Sequence, residues 1–218
     1  MPDRRVIPLF PLGSVLVPGL VLPLHIFEPR YRRLMADIEG LPDDDRGFGV
    51  VAIREGHEVG ADSAPSLYDV GTFAAVREIS ALDDGRFDIV TVGTDRFRII
   101  DTDEGLPYLR AQVEILPEEA GPDAEAAADA VQGRFEEYRS MFAGDDDSGL
   151  PDDPRVLSYL VAAAIVIDLP GRQALLSAES DTRRLREELA FLRRETALIA
   201  EIPSLPAVDL VRERVYPN

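Results

Sequence analysis

The sequence contains no cysteine and no lysine, and its only histidines are His25 and His57. Without cysteine, these residues form no disulfide, no thiolate metal site and no cysteine nucleophile. Without lysine, they cannot supply the serine-lysine dyad that one class of peptidases uses. A serine hydrolase is not expected either, because no Gly-x-Ser-x-Gly elbow is present. These absences leave few routes to covalent catalysis.

Basic charge is scarce, since 23 arginines stand against 41 acidic residues and give a net charge of -18. A nucleic acid or an anionic membrane needs a basic surface, so neither partner is expected. The longest apolar run, residues 159–167, is far shorter than the roughly 20 residues of a membrane-spanning helix. The N-terminus also lacks the apolar core and cleavage site of a secretory signal. We therefore expect a cytoplasmic protein.

The N-terminal half is organised around residues 6–35, which read VIPLFPLGSVLVPGLVLPLHIFEPRYRRLM. Two apolar runs, residues 6–10 and 20–27, flank a segment rich in proline and glycine, which predicts a pair of strands joined by a tight connection. Prolines within both runs favour edge positions or bulges. Pro29 suits the first turn of a helix, and apolar residues then recur at helical spacing.

Five further stretches have the composition of strands, at residues 47–54, 70–82, 87–92, 96–102 and 108–116. Asp84-Gly85 is typical of a hairpin turn, and Gly93 predicts a break between two of the strands. Arg96 and Arg98 alternate with apolar residues, which fits a sheet with one wetter face. We expect an antiparallel meander, and closure into a barrel of roughly six strands would remove its exposed edges.

Helical spacing replaces the strand pattern after residue 122 and predicts helices at residues 123–142, 154–168, 172–178 and 182–202. The second of these is apolar on nearly all sides, so we expect it to be the buried centre of a bundle. Leu169-Pro170-Gly171 is interpreted as its end. The sequence thus predicts an α+β fold: a β-rich, barrel-like subdomain with one short helix over residues 1–118, a helical bundle subdomain over residues 119–203, and an extended tail, residues 204–218, that packs back.

Several of these stretches together resemble the substrate-binding domain of the Lon proteases, the N-terminal module of that family. The resemblance rests on IPLFPLGSVLVPGLVLPLHIFEPRYRRLM, VGTFAAVREISALDDGRFDIVTVGTDRFRII, PYLRAQVEIL, DPRVLSYLVAAAI and LLSAESDTRRLREELAFLRRE, in that order. It implies a PUA-like barrel and recognition of polypeptide segments. Lon proteases continue into an ATPase and a serine-lysine peptidase, but this sequence has no phosphate-binding loop ending in Gly-Lys-Ser/Thr.

We therefore expect a non-catalytic binding module that uses no cofactor and acts as an adaptor or regulator of proteolysis. The expected partners are unfolded or flexible polypeptide segments, together with an ATP-dependent protease. One alternative is a scaffold for a single folded partner. Another is a small-molecule-binding protein, which predicts a polar pocket with His25 or His57 beside an acid. The sequence carries no signal for a particular oligomeric state.

Six candidate residues for contacting a client lie in the opening stretch: Val15, Val17, Leu20, Phe27, Arg30 and Tyr31. The apolar turn at residues 15–20 must be covered by another part of the chain or used for binding. Phe27 and Tyr31 either offer an apolar surface or belong to the core. Arg30, with two neighbouring arginines, either holds an acidic partner or pairs with nearby carboxylates.

No metal site is expected. His25 and Glu28 have a spacing that would suit a metal on a helix, but the flanking prolines disfavour a helix there. We interpret His25 as a strand-end histidine bound to backbone. The acidic runs at residues 43–45 and 145–147 lack the glycine and glutamate spacing of a calcium loop, so they are interpreted as solvated turns.

Overall fold

The computed structural model describes residues 3–55, 66–141 and 149–201. These ranges contain a strand-rich N-terminal part followed by helices, so the α+β fold is confirmed. In chain order the elements are β1 (Arg4–Leu12), β2 (Val21–Ile26), α1 (Pro29–Ile38), β3 (Gly47–Glu55), β4 (Ser66–Leu67), β5 (Val70–Ala81), β6 (Phe87–Asp103), β7 (Arg110–Ile115), α2 (Ala124–Ser140), α3 (Pro154–Ala164), α4 (Leu169–Ser177) and α5 (Asp181–Glu201). The predicted tail, the acidic run at 145–147 and His57 lie outside the described residues. Within the described ranges, no helix is both long and apolar enough to cross a bilayer.

The sheet closes on itself through the order β1-β7-β6-β5-β3, because β1 also pairs with β3. The first half of β1 pairs antiparallel with β7, from Arg4 opposite Glu114 to Pro8 opposite Arg110. The second half pairs parallel with β3, beginning with Leu9 opposite Gly49. Each half of β1 is therefore hydrogen-bonded to one neighbouring strand, an arrangement that tolerates its prolines. The closed ring leaves few strand edges exposed.

The predicted pairing of the first two strands with each other was wrong. β2 instead pairs antiparallel with the first part of β6, from Val21 opposite Val92 to Ile26 opposite Phe87. The segment between them, residues 13–20, is called the 13–20 loop below. It carries the chain from one region of the sheet to another, because β1 is already paired with β7 and β3.

β6 is one continuous strand, and the predicted break at Gly93 was wrong. The Gly19 N–H donates to the Gly93 carbonyl at 2.8 Å, and the Gly93 N–H donates to the Leu20 carbonyl at 3.0 Å. A Cβ atom on Gly93 would lie 2.5 Å from the Val17 carbonyl oxygen. Glycine is therefore needed here so that the 13–20 loop can lie directly against the strand.

Gly93→Ala is expected to destabilise the protein by about 1–3 kcal/mol, because the added methyl group pushes the 13–20 loop away from β6. Gly133→Ala is the matched control. A Cβ atom at Gly133, in α2, meets nothing within 4 Å, and alanine in place of glycine stabilises a helix by roughly 0.5–1 kcal/mol. Urea unfolding of both variants measures the two effects. Equal changes in stability would contradict the close approach at Gly93.

The helices agree with the predicted ones except at one junction. α3 ends at Ala164, and Leu169-Pro170-Gly171, predicted to end a helix, begin α4 instead. The Asp168 carboxylate accepts a hydrogen bond from the Gly171 N–H at 2.9 Å, so it caps the new helix, and Pro170 lies in the first turn. Proline opposes a helix interior, but it is favoured in the first turn, where its missing N–H has no partner to lose.

The helices and the barrel share apolar packing. One core cluster combines residues of all four C-terminal helices with Val15 and Val17 of the 13–20 loop, Ala52 of β3 and Val70 of β5. The barrel has a separate cluster around α1, which includes Leu34 and other buried residues. The 13–20 loop thus lies where the strand-rich and helical parts meet. The boundary at residue 118 stays a prediction.

Candidate functional site

A groove of about 660 Å³ lies between the 13–20 loop and α3. One wall is formed by the loop residues from Val17 to Leu20, and the other by α3. The polar residues that line it come from β6, from the segment after β7 and from α3: Thr94, Asp95, Glu118, Arg155 and Tyr159. The volume falls within the range of about 300–1,000 Å³ that is usual for ligand sites.

The α3 wall is apolar and partly exposed to solvent. Val156 is 53% exposed and Leu160 is 37% exposed, while Leu157 and Val161 are buried. Val156 and Leu160 are four residues apart and therefore lie on the same face of the helix, followed by Ala163 and Ala164. The sequence predicts that this helix is the buried centre of a bundle, but only one of its faces is buried. Its outward apolar face is a wall of the groove.

The loop wall is held firmly in place. The Thr72 hydroxyl, fully buried on β5, donates a hydrogen bond to the Leu16 carbonyl at 2.7 Å. Val17 is buried, whereas Leu20 is 37% exposed at the groove. Together with the backbone hydrogen bonds to Gly93, these contacts hold the 13–20 loop in a fixed position against β6.

The floor of the groove is a network of charged and polar groups centred on Glu118. Arg96 Nε donates to Glu118 Oε1 at 2.7 Å, and the Tyr159 hydroxyl donates to the same carboxylate at 2.9 Å. Arg155 Nη2 donates to the Glu118 carbonyl at 3.0 Å, while its Nε lies 3.2 Å from Asp181 Oδ2. Burial raises the pKa of Tyr159, so this hydroxyl keeps its proton and remains a donor.

Two fully or nearly fully buried arginines connect this floor to the rest of the molecule. Arg96 also donates to the carbonyls of Leu176 and Ala178, at 2.8 and 2.7 Å, and so ties β6 to the end of α4. Arg184 donates to the Ser158 hydroxyl at 2.7 Å and lies over the Tyr159 ring. The predicted wetter face at Arg96 was wrong, because the helices cover that position.

The structure separates the six predicted site residues. Val15 and Val17 are packed in the core that joins the barrel to the helices, although Val17 also borders the groove. Leu20 lies in the groove wall. Tyr31 is buried in α1 and stacks on Phe10 with ring centroids 4.0 Å apart.

Phe27 and Arg30 lie outside the groove lining. Phe27 is 52% exposed and its ring centroid is 6.3 Å from that of His25. The Arg30 guanidinium lies 3.0 Å from Glu28 and 4.6 Å from the centre of the Tyr31 ring. The internal pairing of this arginine matches one of the two interpretations drawn from the sequence. Whether Phe27 contacts a client stays a prediction.

His25 bonds to side chains, whereas a backbone partner was expected. Its Nδ1 lies 2.6 Å from Asp88 Oδ1, and Arg86 Nη1 lies 3.2 Å from its Nε2. The ring is exposed and lies outside the groove lining. The polar pocket containing this histidine, which the small-molecule alternative predicts, is therefore not the groove described here.

Sequence reasoning missed most of the residues that build the groove. The helix that carries Val156 and Leu160 is apolar on nearly all sides, and its sequence therefore predicts burial. No sequence pattern points to Glu118 or Arg155, although the predicted start of a helix at residue 154 is correct. One sequence pattern does point to part of the charged network in the floor. Asp181 and Arg184 are three residues apart on one helix and can therefore form an ion pair.

Comparison with known proteins identifies the family. The model of the ATP-dependent protease La (LON) substrate-binding domain matches residues 6–194. The chain belongs to this family. The match extends from β1 into α5, so the LON substrate-binding domain includes both walls of the groove and its floor. The resemblance drawn from the sequence motifs is confirmed.

Curated relatives of this LON domain are much longer proteins. The chain is 26% identical over 228 aligned residues to Lon protease 2 of Syntrophobacter fumaroxidans, covering 99% of the chain and 27% of that relative. It is 30% identical over 198 residues to Lon protease 2 of Herpetosiphon aurantiacus, covering 87% of the chain and 24% of that relative. The chain thus spans about a quarter of the length of these proteases.

Solved structures agree with the fold. The Lon N-terminal domain protein from Xanthomonas campestris has a TM-score of 0.61 and 25% identity, and the alignment covers 86% of this chain and 98% of that one. The N-terminal domain of the Mycobacterium avium complex Lon protease has a TM-score of 0.64 at 17% identity, covering 87% and 98% of the two chains. The second likeness supports the fold alone.

Proposed function

We propose that this LON substrate-binding domain is a non-catalytic module that binds extended, apolar polypeptide segments in the groove between the 13–20 loop and α3. In this role it acts as an adaptor or regulator of ATP-dependent proteolysis. The observation that carries the proposal is the pair of exposed apolar side chains, Val156 and Leu160, facing a fixed loop wall. Family membership adds the expectation that the ligand is a polypeptide.

An apolar groove of this kind suits unfolded clients. Unfolded segments share exposed apolar side chains. Burying these side chains in the groove lowers the free energy whatever the exact sequence of the segment. The fixed walls also reduce the ordering cost on the side of the protein. Binding would then depend on apolar content more than on one defined motif, as a domain serving several clients requires.

The polar floor supports a binding role over a catalytic one. The Glu118 carboxylate accepts hydrogen bonds from Arg96 and Tyr159, so its oxygens already have partners. Arg155 is held by Asp181 and by a backbone carbonyl. Groups engaged in this way hold the groove in shape.

The test is the exchange of one exposed valine for aspartate. Val156→Asp is expected to weaken binding of an extended, fluorescein-labelled peptide with three consecutive apolar residues by at least about tenfold, because a carboxylate then replaces an apolar contact. Fluorescence anisotropy measures the affinity. Folding should be retained, since an acidic residue is favourable in the first turn of a helix.

Val166→Asp is the matched control. Val166 is 78% exposed just beyond the end of α3 and does not line the groove. The same substitution there should leave peptide affinity unchanged. If both variants bind the peptide equally well, or if the unmodified protein binds no unfolded segment, the proposed function is wrong. Retention of one folded protein only, at fixed stoichiometry, would favour the scaffold alternative.

A further inference from the structure

We propose that the groove prefers apolar segments that carry an arginine or lysine beside the apolar residues, and that Asp95 binds this cation. This inference rests on the proposed function and adds a charge preference to it. The occupant is thus a basic, apolar, extended polypeptide segment.

Asp95 presents an exposed carboxylate to the groove. It is exposed on β6 and lines the groove next to Thr94. Within residues 3–55, 66–141 and 149–201, no cation lies within ion-pair distance of its carboxylate. Asp95 raises the pKa of Arg5 only as a lesser cause, and the Arg5 guanidinium donates its hydrogen bond to Asp3 at 2.7 Å. Its carboxylate can therefore accept a cation from a ligand.

The arginines at the groove are already engaged in ion pairs. Arg155 is the arginine that lines it, and its Nε lies 3.2 Å from Asp181. Glu118, in turn, is bound by the buried Arg96 at 2.7 Å. Beneath the groove, Arg96, Arg155 and Arg184 share these two carboxylates. Of the residues that line the groove itself, Asp95 and Glu118 carry negative charge and Arg155 carries positive charge, so the lining is net negative. An acidic segment would be repelled there, whereas a basic one would be attracted.

The rest of the molecule strengthens this preference. Its net charge of -18 creates a negative potential that concentrates cationic segments near the surface. Long basic side chains also suit a mixed groove, because their methylene stems can lie along apolar surface while the charged end reaches a carboxylate. Val156 and Leu160 provide such surface in the same groove as Asp95.

Three peptides test the inference. They share the three apolar residues used above and differ at the next position, which is arginine, glutamine or glutamate. The arginine peptide is expected to bind about threefold to tenfold more tightly than the glutamine peptide, and the glutamate peptide more weakly than either. Added salt should reduce the difference between them. Affinities are measured by fluorescence anisotropy.

Asp95→Asn assigns the effect to one residue, with Asp44→Asn as the matched control. Asp44 is an exposed aspartate on the turn before β3, outside the groove, and its replacement changes the net charge equally. Asp95→Asn should remove the advantage of the arginine peptide while leaving the glutamine peptide bound, and Asp44→Asn should preserve that advantage. A lysine peptide should behave like the arginine peptide.

The outcomes separate this inference from the proposed function. Equal binding of the arginine and glutamine peptides, both weakened by Val156→Asp, would overturn the charge preference and leave the proposed function standing. Equal effects of Asp95→Asn and Asp44→Asn would overturn the assignment to Asp95. A glutamine peptide that fails to bind, or that binds without sensitivity to Val156→Asp, would overturn the proposed function itself.

Discussion

Replacing Arg184 by methionine is expected to lower the free energy of unfolding by at least about 3 kcal/mol. The Arg184 side chain is fully buried, and it donates to Ser158 at 2.7 Å and to Asp181 Oδ1 at 3.1 Å. It also donates to the Tyr159 hydroxyl at 2.9 Å. Methionine fills similar space but leaves these groups without their donor. Of the two cations that pair with the buried Asp181 among the described residues, only Arg155 would remain.

The adjacent residue supplies the control. Arg183 is on the same helix, but its side chain is 67% exposed and pairs with Glu187 four residues later. Arg183→Met should cost no more than about 0.5 kcal/mol, as is usual for an exposed pair of this spacing. Thermal unfolding should then separate the variants by roughly 6 °C or more for a chain of this size. Similar melting temperatures for Arg183→Met and Arg184→Met would contradict a structural role for the buried network.

Local signals explain why most strands and helices could be predicted. The Asp84-Gly85 turn and the proline at the start of α3 each determine the backbone geometry of a few neighbouring residues. Such features can therefore be predicted from a short stretch of sequence. The register of β1 is different, because its partners β3 and β7 lie about 40 and 105 residues further along. No local sequence signal indicates that β1 pairs with β7 in its first half and with β3 in its second half.

The groove was only partly predictable for the same reason. Leu20 could be named because an apolar turn must be covered or used. The exposed face of α3 could not, since an all-round apolar helix predicts burial, and only the packed structure leaves Val156 uncovered beside the 13–20 loop. The alternation of charged and apolar residues predicts that Arg96 faces solvent. The end of α4 instead covers that side of the barrel, and its carbonyl groups accept hydrogen bonds from Arg96.

Replacing Glu188 by methionine is expected to stabilise the protein at pH 8 by about 2 kcal/mol. Glu188 is fully buried in α5, and no described group lies within hydrogen-bond distance of either carboxyl oxygen. Burial is the main cause that raises its pKa well above the ordinary 4.5, and the nearby Arg184 opposes this only in part. An unpaired buried acid is costly, and an unbranched apolar side chain removes that cost.

The pH dependence distinguishes this effect from ordinary repacking. Above pH 4.5 the unfolded chain loses the Glu188 proton while the folded protein keeps it. Folding therefore takes up a proton, and stability falls as the pH rises, by at most about 1.4 kcal/mol per pH unit, until the folded-state pKa is passed. The advantage of Glu188→Met should grow from pH 5 to pH 8 in urea unfolding. Glu136→Met, at an exposed glutamate of α2, should gain no such advantage. Curves for the native protein and Glu188→Met that stay parallel across this range would show that Glu188 is ionised in the folded state.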